Sequence, residues 1–181
     1  MMKSIKDTKN SRLSKFTHIN DILYHTDDLA NLWEMENKNT LYTTIKRYVK
    51  QGLLFRIYKG FYSIKKLSEI DPLLLGVKAL HSYSYISTES ILSREGIINQ
   101  NIPTVTLISE KTKRFSIMGI AYYSRKLSDK YLFQSYGIRT SDSGLRQASI
   151  ERAVADILHF NENMYFDNPG LVNWKKVKET Q

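Results

Sequence analysis

The chain has 181 residues, enough for one substantial domain or two small ones, and its 41% hydrophobic content, with twelve Tyr and seven Phe, can supply packed cores. Lys and Arg outnumber Asp and Glu by 27 to 18, a formal charge of +9 that favours polyanionic partners and says nothing of fold. No cysteine is present, so disulfides, thiolate nucleophiles and Cys-bearing zinc sites are excluded, a composition that fits the cytoplasm.

The first ten or so residues, with Lys3, Lys6, Lys9 and Arg12, read as a loose basic arm without the apolar core of a signal peptide. No run approaches the ~18 consecutive apolar residues of a membrane span, so a cytoplasmic protein with no membrane partner is expected. Leu13, Phe16 and Ile19 at three-residue spacing allow a short helix, and a short strand is expected within Asp21 to His25. Thr26-Asp27-Asp28 is a helix start, with Thr26 as cap and two acids where the helix dipole favours them. Leu29, Leu32 and Trp33 form the apolar face of that helix, and Glu34 to Lys38 form the turn after it.

Asn39-Thr40 opens a second helix, with apolar positions Leu41, Ile45, Tyr48 and Val49 at helical spacing and a stop at Gln51-Gly52. Its other side carries one stripe, Asn39, Tyr42, Thr43, Lys46, Arg47 and Lys50, with no acid in it. Leu53 to Tyr58 and Phe61 to Ile64 then read as strands joined by a tight turn at Lys59-Gly60. Strand alternation sends Phe55 and Ile57 to the core and Arg56 and Tyr58 outward. Two helices across a brief turn, followed by a basic hairpin, are the parts of a winged helix-turn-helix. The candidate DNA-binding residues are therefore Asn39, Thr40, Tyr42, Thr43, Lys46, Arg47 and Lys50 on the helix, with Arg56 and Lys59 on the wing. Arg47 and Lys50 suit phosphates, which set affinity and register, while the Arg47 fork also matches guanine O6 and N7. A solvated amphipathic helix beside an exposed hairpin is the plainer alternative. Charge favours the first reading: residues 1–70 hold 13 Lys/Arg against 7 Asp/Glu, whereas residues 71–181 hold 14 against 11.

Lys65 to Ile70 reads as a linker. Asp71-Pro72 starts a helix that runs to about Leu80, and Ser87-Thr88-Glu89 caps another that buries Ile91 and Leu92 and ends at Gly96. Beyond Pro103 the period changes, and Val105–Ile108, Phe115–Met118, Ile120–Leu127 and Tyr136–Arg139 read as strands. Ser149 caps a helix whose apolar face is Ile150, Ala153, Val154, Ile157 and Leu158. Asn168-Pro169-Gly170 breaks the chain before a short tail around Trp174. The fold class expected is α+β: a winged helix-turn-helix over residues 1–66, then a mixed α+β domain over residues 71–181.

Signals for catalysis are weak. His18, His25, His81 and His159 are scattered without metal-binding spacing, and neither a glycine-rich phosphate loop nor a GxSxG elbow occurs. Glu151 and Asp156 lie on different faces of one helix and read as surface or ion-pair residues, and Ser141 to Gly144 is a polar loop with nothing to activate a serine. No enzyme, metal site or cofactor is expected. Lys111, Lys113, Arg114, Arg125 and Lys126, with Tyr122 and Tyr123, form a basic patch suited to nucleic acid or an acidic protein, or simply a solvated face.

Several stretches in this order carry a family likeness: Asp27-Asp28-Leu29-Ala30, Asn39 to Arg47, the wing Leu54 to Tyr62, Tyr85 to Leu92 with Gly96, and Ser149 to Leu158. Over roughly residues 16 to 175 the chain resembles the AbiEi-type antitoxins, the regulator half of type IV toxin–antitoxin (abortive infection) pairs. The resemblance implies a DNA-binding transcriptional repressor whose winged helix binds double-stranded DNA at inverted repeats in its own promoter. It also implies a C-terminal domain that neutralises a nucleotidyltransferase-like toxin. In that family neutralisation does not require a stable complex, so no toxin-contact residues carry over. Little chain follows Trp174 to form further C-terminal helices, a departure that suggests a short or truncated member. A competing reading is a protein-interaction module that binds a partner directly through its C-terminal domain.

Overall fold

The computed structural model describes residues 12–17, 19 and 21–180. Lys3, Lys6 and Lys9 of the basic arm, and His18, lie outside the described residues. The chain divides into two compact units, Met1–Ile70 and Asp71–Gln181, and both helices and sheets contribute to each.

The first unit runs α1 (residues 12–17), β1 (Leu23–His25), α2 (Thr26–Trp33), α3 (Lys38–Lys50), β2 (Phe55–Tyr58) and β3 (Phe61–Ser63), then a 3-10 turn at Leu67–Glu69. Its sheet has the order β1-β3-β2, antiparallel throughout. One apolar cluster joins Phe16 of α1, Tyr24 of β1, Leu29 and Trp33 of α2, Leu41, Ile45 and Tyr48 of α3, and Leu54 and Tyr62 of the hairpin. Ile19 stays 42% exposed, so the short first helix contributes Phe16 and a partly buried Leu13 instead.

The helix starts differ from expectation. Asp28 accepts a hydrogen bond from the His25 backbone N–H at 2.7 Å, which places the start of α2 at His25. Thr26 does not cap: its N–H and hydroxyl both donate to the Gly60 carbonyl, at 3.0 and 3.4 Å, and tie the hairpin tip to α2. Asn37, not Asn39, caps α3, accepting from the Thr40 N–H at 3.1 Å. The hairpin turn is Lys59-Gly60, flanked by the pair Tyr58↔Phe61, and Gly60 has φ +88°, a left-handed conformation that glycine adopts without strain. Phe55 and Ile57 are only half-buried, opposite exposed Arg56 and Tyr58, because the strand is short and bulged between Arg56 and Tyr58.

The second unit runs α4 (Pro72–Ala79), β4 (Ser84–Ile86), α5 (Glu89–Arg94), β5 (Val105–Ser109), β6 (Lys113–Ile117) and β7 (Ile120–Lys126). It continues with α6 (Asp129–Leu132), β8 (Ile138–Thr140), β9 (Arg146–Ala148), α7 (Ile150–Phe160), a 3-10 turn at Pro169–Leu171 and α8 (Trp174–Thr180). The strands form one six-stranded mixed sheet of order β6-β7-β5-β4-β9-β8, parallel at β5–β7 and β4–β9. Asp71 and Ser149 cap α4 and α7 as expected, accepting from Leu73 and Arg152 N–H groups at 2.8 and 3.2 Å. The tail around Trp174 is a helix that packs on α7 and buries Val177.

Two side chains face the interior: Asp156 as an ion-pair residue, one of the two readings its sequence position allows, and Tyr122, which leaves the expected surface patch. Asp156 on α7 is buried, and it pairs with the equally buried Arg152 one turn earlier at 2.9 Å. The Arg152 guanidinium spends its donors on Asp156, the Tyr85 hydroxyl (2.7 Å) and the carbonyls of Tyr131, Gln134 and Tyr136 (2.8, 3.1 and 3.4 Å). Asp156 also accepts from the Ser87 hydroxyl at 2.7 Å. Burial pushes the Asp156 carboxyl up, while Arg152, Ser87 and Tyr85 pull it back down. The network links α7, β4, α6 and the approach to β8. Tyr122, expected in the surface patch, is likewise buried: its ring stacks on Phe115 at 4.9 Å, and its hydroxyl donates to the Pro72 carbonyl at 2.9 Å. A methyl on Gly76 of α4 would lie 2.4 Å from that ring, so the helix approaches the sheet only where a side chain is missing.

Arg152→Met should destabilise the second unit by about 3–5 kcal/mol, because it strands a buried carboxylate, whereas adding Asp156→Leu should recover much of that loss. Urea denaturation of both variants checks this, and equal losses would contradict it. Burial, with Asp71 second, raises the Tyr122 phenol from 10.0 to about 12. The folded value lies above the unfolded one, so this contribution is complete below pH 10 and is lost as pH rises toward 12. Tyr122→Phe should therefore show a shallower fall of stability with pH across that window than the parent.

Candidate functional site

Between Asn37 and Ser68 the chain carries eight Lys or Arg and no Asp or Glu. This acid-free stretch spans α3 and the hairpin, and the fold decides which charges face water. Leu41, Ile45 and Tyr48 are buried at 2%, 3% and 0% exposure, which turns Asn39, Thr40, Tyr42, Thr43, Lys46, Arg47 and Lys50 outward, all of them exposed. Tyr42 is 54% exposed, unusual for a ring on a well-packed helix. Arg47 lies over the Tyr48 ring at 5.7 Å and stays exposed. Lys50 and Arg47 sit in the last turn of α3, where the helix dipole favours cations. On the hairpin Arg56 and Lys59 are exposed as well. The structure thus exposes all nine residues singled out from the sequence, seven of them on one side of a single helix.

Two further residues join this face. Arg12 of α1, together with Asn39, Thr40, Thr43, Thr44 and Arg47, lines a shallow hollow of about 390 Å³. In sequence Arg12 falls within the basic arm, and Thr44 lies outside the expected DNA-binding set. The i, i+4, i+7 spacing of Thr40, Thr44 and Arg47 was visible, but the neighbour that completes the hollow comes from another helix.

No protein-family model matches the sequence, and no curated protein does either. The chain is similar to the RV2827C protein from Mycobacterium tuberculosis, with a TM-score of 0.50 at 11% sequence identity. The match covers 86% of this chain and 61% of that one, so the chain spans less than two thirds of that protein's length. At such identity the likeness concerns the fold alone, a mixed α+β architecture.

The basic residues named in the second unit lie on or beside β6 and β7, where Lys111, Lys113, Arg114 and Lys126 are exposed and Arg125 is half-buried. Arg125 is paired with Glu89 and lies over the Tyr123 and Phe160 rings at 5.3 Å each. Arg114 stacks on Tyr123 at 3.8 Å, and Lys111 pairs with Glu110 at 3.3 Å. Tyr122 faces inward, as described. Among the histidines, His25 stacks on Phe61 at 4.4 Å and His159 lies 5.6 Å from the Tyr131 ring. Among the described residues, no group of three His, Asp or Glu is placed to hold a metal ion. Among the described residues, no helix is long and apolar enough to cross a membrane.

Because Lys46 and Arg47 are exposed and Arg47 meets the core only through its contact with the Tyr48 ring, Lys46→Ala combined with Arg47→Ala should change stability by no more than about 1 kcal/mol in total. Tyr48→Ala, which opens the cluster, should cost about 3–5 kcal/mol. Thermal unfolding of the two variants separates these outcomes. A large loss from the charge variant would mean that the stripe serves the fold.

Proposed function

We propose that the first unit is a winged helix-turn-helix and that the chain is a sequence-specific DNA-binding repressor, the antitoxin of a type IV toxin–antitoxin pair. The observation that carries the reading is the acid-free, exposed cationic face of α3, followed directly by a hairpin that exposes Arg56 and Lys59. The element order helix–strand–helix–helix–strand–strand, with the first strand paired to the last, supports it, since this is the layout of a winged helix. In this reading α3 enters the major groove while the wing holds the flanking backbone. Phosphate contacts supply most of the affinity, and base edges reached from α3 supply the preference. The partner toxin, nucleotidyltransferase-like, and autorepression at inverted repeats follow from the AbiEi resemblance. The second unit then acts in neutralisation. Its exposed Tyr165, Leu171 and Trp174, at 76%, 61% and 40%, favour a second reading in which this unit binds a protein partner directly.

A salt-titrated gel shift, comparing the DNA upstream of the gene with unrelated DNA of equal length, tests the proposal. The expected result is preferential binding of the upstream fragment, with affinity falling steeply as salt rises. Lys46→Ala with Arg47→Ala should remove that binding. Equal, weak binding to both fragments, unaffected by the double variant, would overturn the proposal.

A further inference from the structure

The stripe on α3 is not one surface but two. Successive residues of an α-helix turn by about 100°, so Thr40, Thr43, Thr44 and Arg47 lean to one flank, while Tyr42 and Lys46 lean to the other. Asn39 and Lys50 lie between them. The first flank is the one that faces α1: with Asn39 it lines the hollow that Arg12 closes from the neighbouring helix. On the second flank Tyr42 stands more than half exposed.

The chemistry of the hollow is uniform. Its lining offers two guanidinium groups, three hydroxyls and one carboxamide, with no carboxylate among them. Two arginines that converge from separate helices on a small polar depression repel each other unless an anion lies between them. A planar guanidinium donates two parallel hydrogen bonds to a phosphate, and hydroxyl and amide groups take its remaining oxygens. Thr44 is only 5% exposed, so the floor of the depression is fixed by packing, not by mobile side chains. Thr40 lies in the first turn of α3, a thirteen-residue helix whose positive end faces the same region.

We propose that Arg12, Arg47 and the Thr40 and Thr43 hydroxyls clamp one backbone phosphate of a nucleic acid duplex. The inference rests on the DNA-binding reading and adds a division of labour within it. The α1 flank holds the backbone without regard to sequence, and the Tyr42–Lys46 flank faces the base edges. Arg12, on a helix that packs behind α3, thereby sets the depth and register at which α3 enters the groove.

The experiment uses the full chain, a duplex taken from upstream of the gene and an unrelated duplex of equal length, with binding measured across a salt series. Arg12→Gln, Arg47→Gln and Thr43→Val are compared with the parent and with Lys65→Gln, which removes the same charge from an exposed position outside the hollow. Thermal unfolding of each variant confirms that α1 remains packed. The expected result is that Arg12→Gln and Arg47→Gln each lower the slope of log affinity against log salt by about 0.9, the signature of one lost phosphate contact. They should weaken both duplexes by the same factor, Thr43→Val should weaken both without changing the slope, and Lys65→Gln should change neither. A parent that binds with a steep slope while folded Arg12→Gln keeps that slope, or matches Lys65→Gln, overturns the clamp and leaves the DNA-binding reading standing. A parent that binds neither duplex overturns both.

Discussion

A helix lying on a core keeps one free choice, its rotation about its own axis, and in α3 three side chains remove that choice. Leu41, Ile45 and Tyr48 are almost wholly buried against Phe16, Leu29 and Trp33. Burying three such side chains is worth about 1.5–3 kcal/mol each, so a helix turned by even half a side-chain spacing would lose several kcal/mol. Apart from Thr44, the polar and charged side chains of α3 face solvent as a consequence. The cationic face is therefore a by-product of core packing that local charge–charge interactions could not hold by themselves, since exposed like charges at helical spacing repel.

The hairpin depends on the same core but is held by different means. Thr26 donates twice to the Gly60 carbonyl, and His25 stacks on Phe61, so the tip and the root of the wing are fastened to the start of α2. An isolated two-stranded hairpin is marginal in water. With β1 as third strand and these ties, Arg56 and Lys59 occupy a set position relative to α3. The Thr26 side chain that the sequence offered as a helix cap is spent on this tie, and the Asp28 carboxylate accepts from the His25 N–H at the start of α2 in its place.

Where residues close at hand decide the structure, the sequence was legible. The burial of α3, the Lys59-Gly60 turn, and the Asp71 and Ser149 caps all follow from spacing and local hydrogen-bond chemistry. What was not legible depends on distant partners. Strands β4 and β9 are three residues long, and β4 is buried throughout, so neither shows a period-two pattern. Helix α5 begins where Thr88 was expected to help cap it, yet the Ser90 N–H bonds to the Thr106 hydroxyl on β5 at 2.9 Å. In one dimension Asp156 reads as a surface or ion-pair residue, and Arg152, one turn earlier, is not singled out as its partner. Only Tyr85, Ser87 and three carbonyls from the α6–β8 segment make their burial tolerable, because a buried ion pair must have its remaining hydrogen-bonding groups satisfied. The candidate site followed the same rule: residues on α3 could be named from spacing, and Arg12, which belongs to another helix, could not.

The composition of the α3 face constrains what kind of reader it can be. On the proposed reading the flank turned from α1 offers Tyr42 and Lys46, with Asn39 and Lys50 at its margin. Lysine can donate to guanine O6 and N7 but lacks the fixed fork of arginine, and Asn39 alone has the amide geometry that reads adenine bidentately. A good base contact is worth about 1–3 kcal/mol of discrimination, so the few that this flank offers are too little to single out a promoter among a genome of competing sites. Specificity must then come either from two copies on adjacent half-sites, which doubles the base contacts, or from the deformability of the DNA between them. On that reading, a helix rich in backbone contacts and poor in base contacts gains discrimination when its sites are repeated, which suits the inverted repeats that the family resemblance implies.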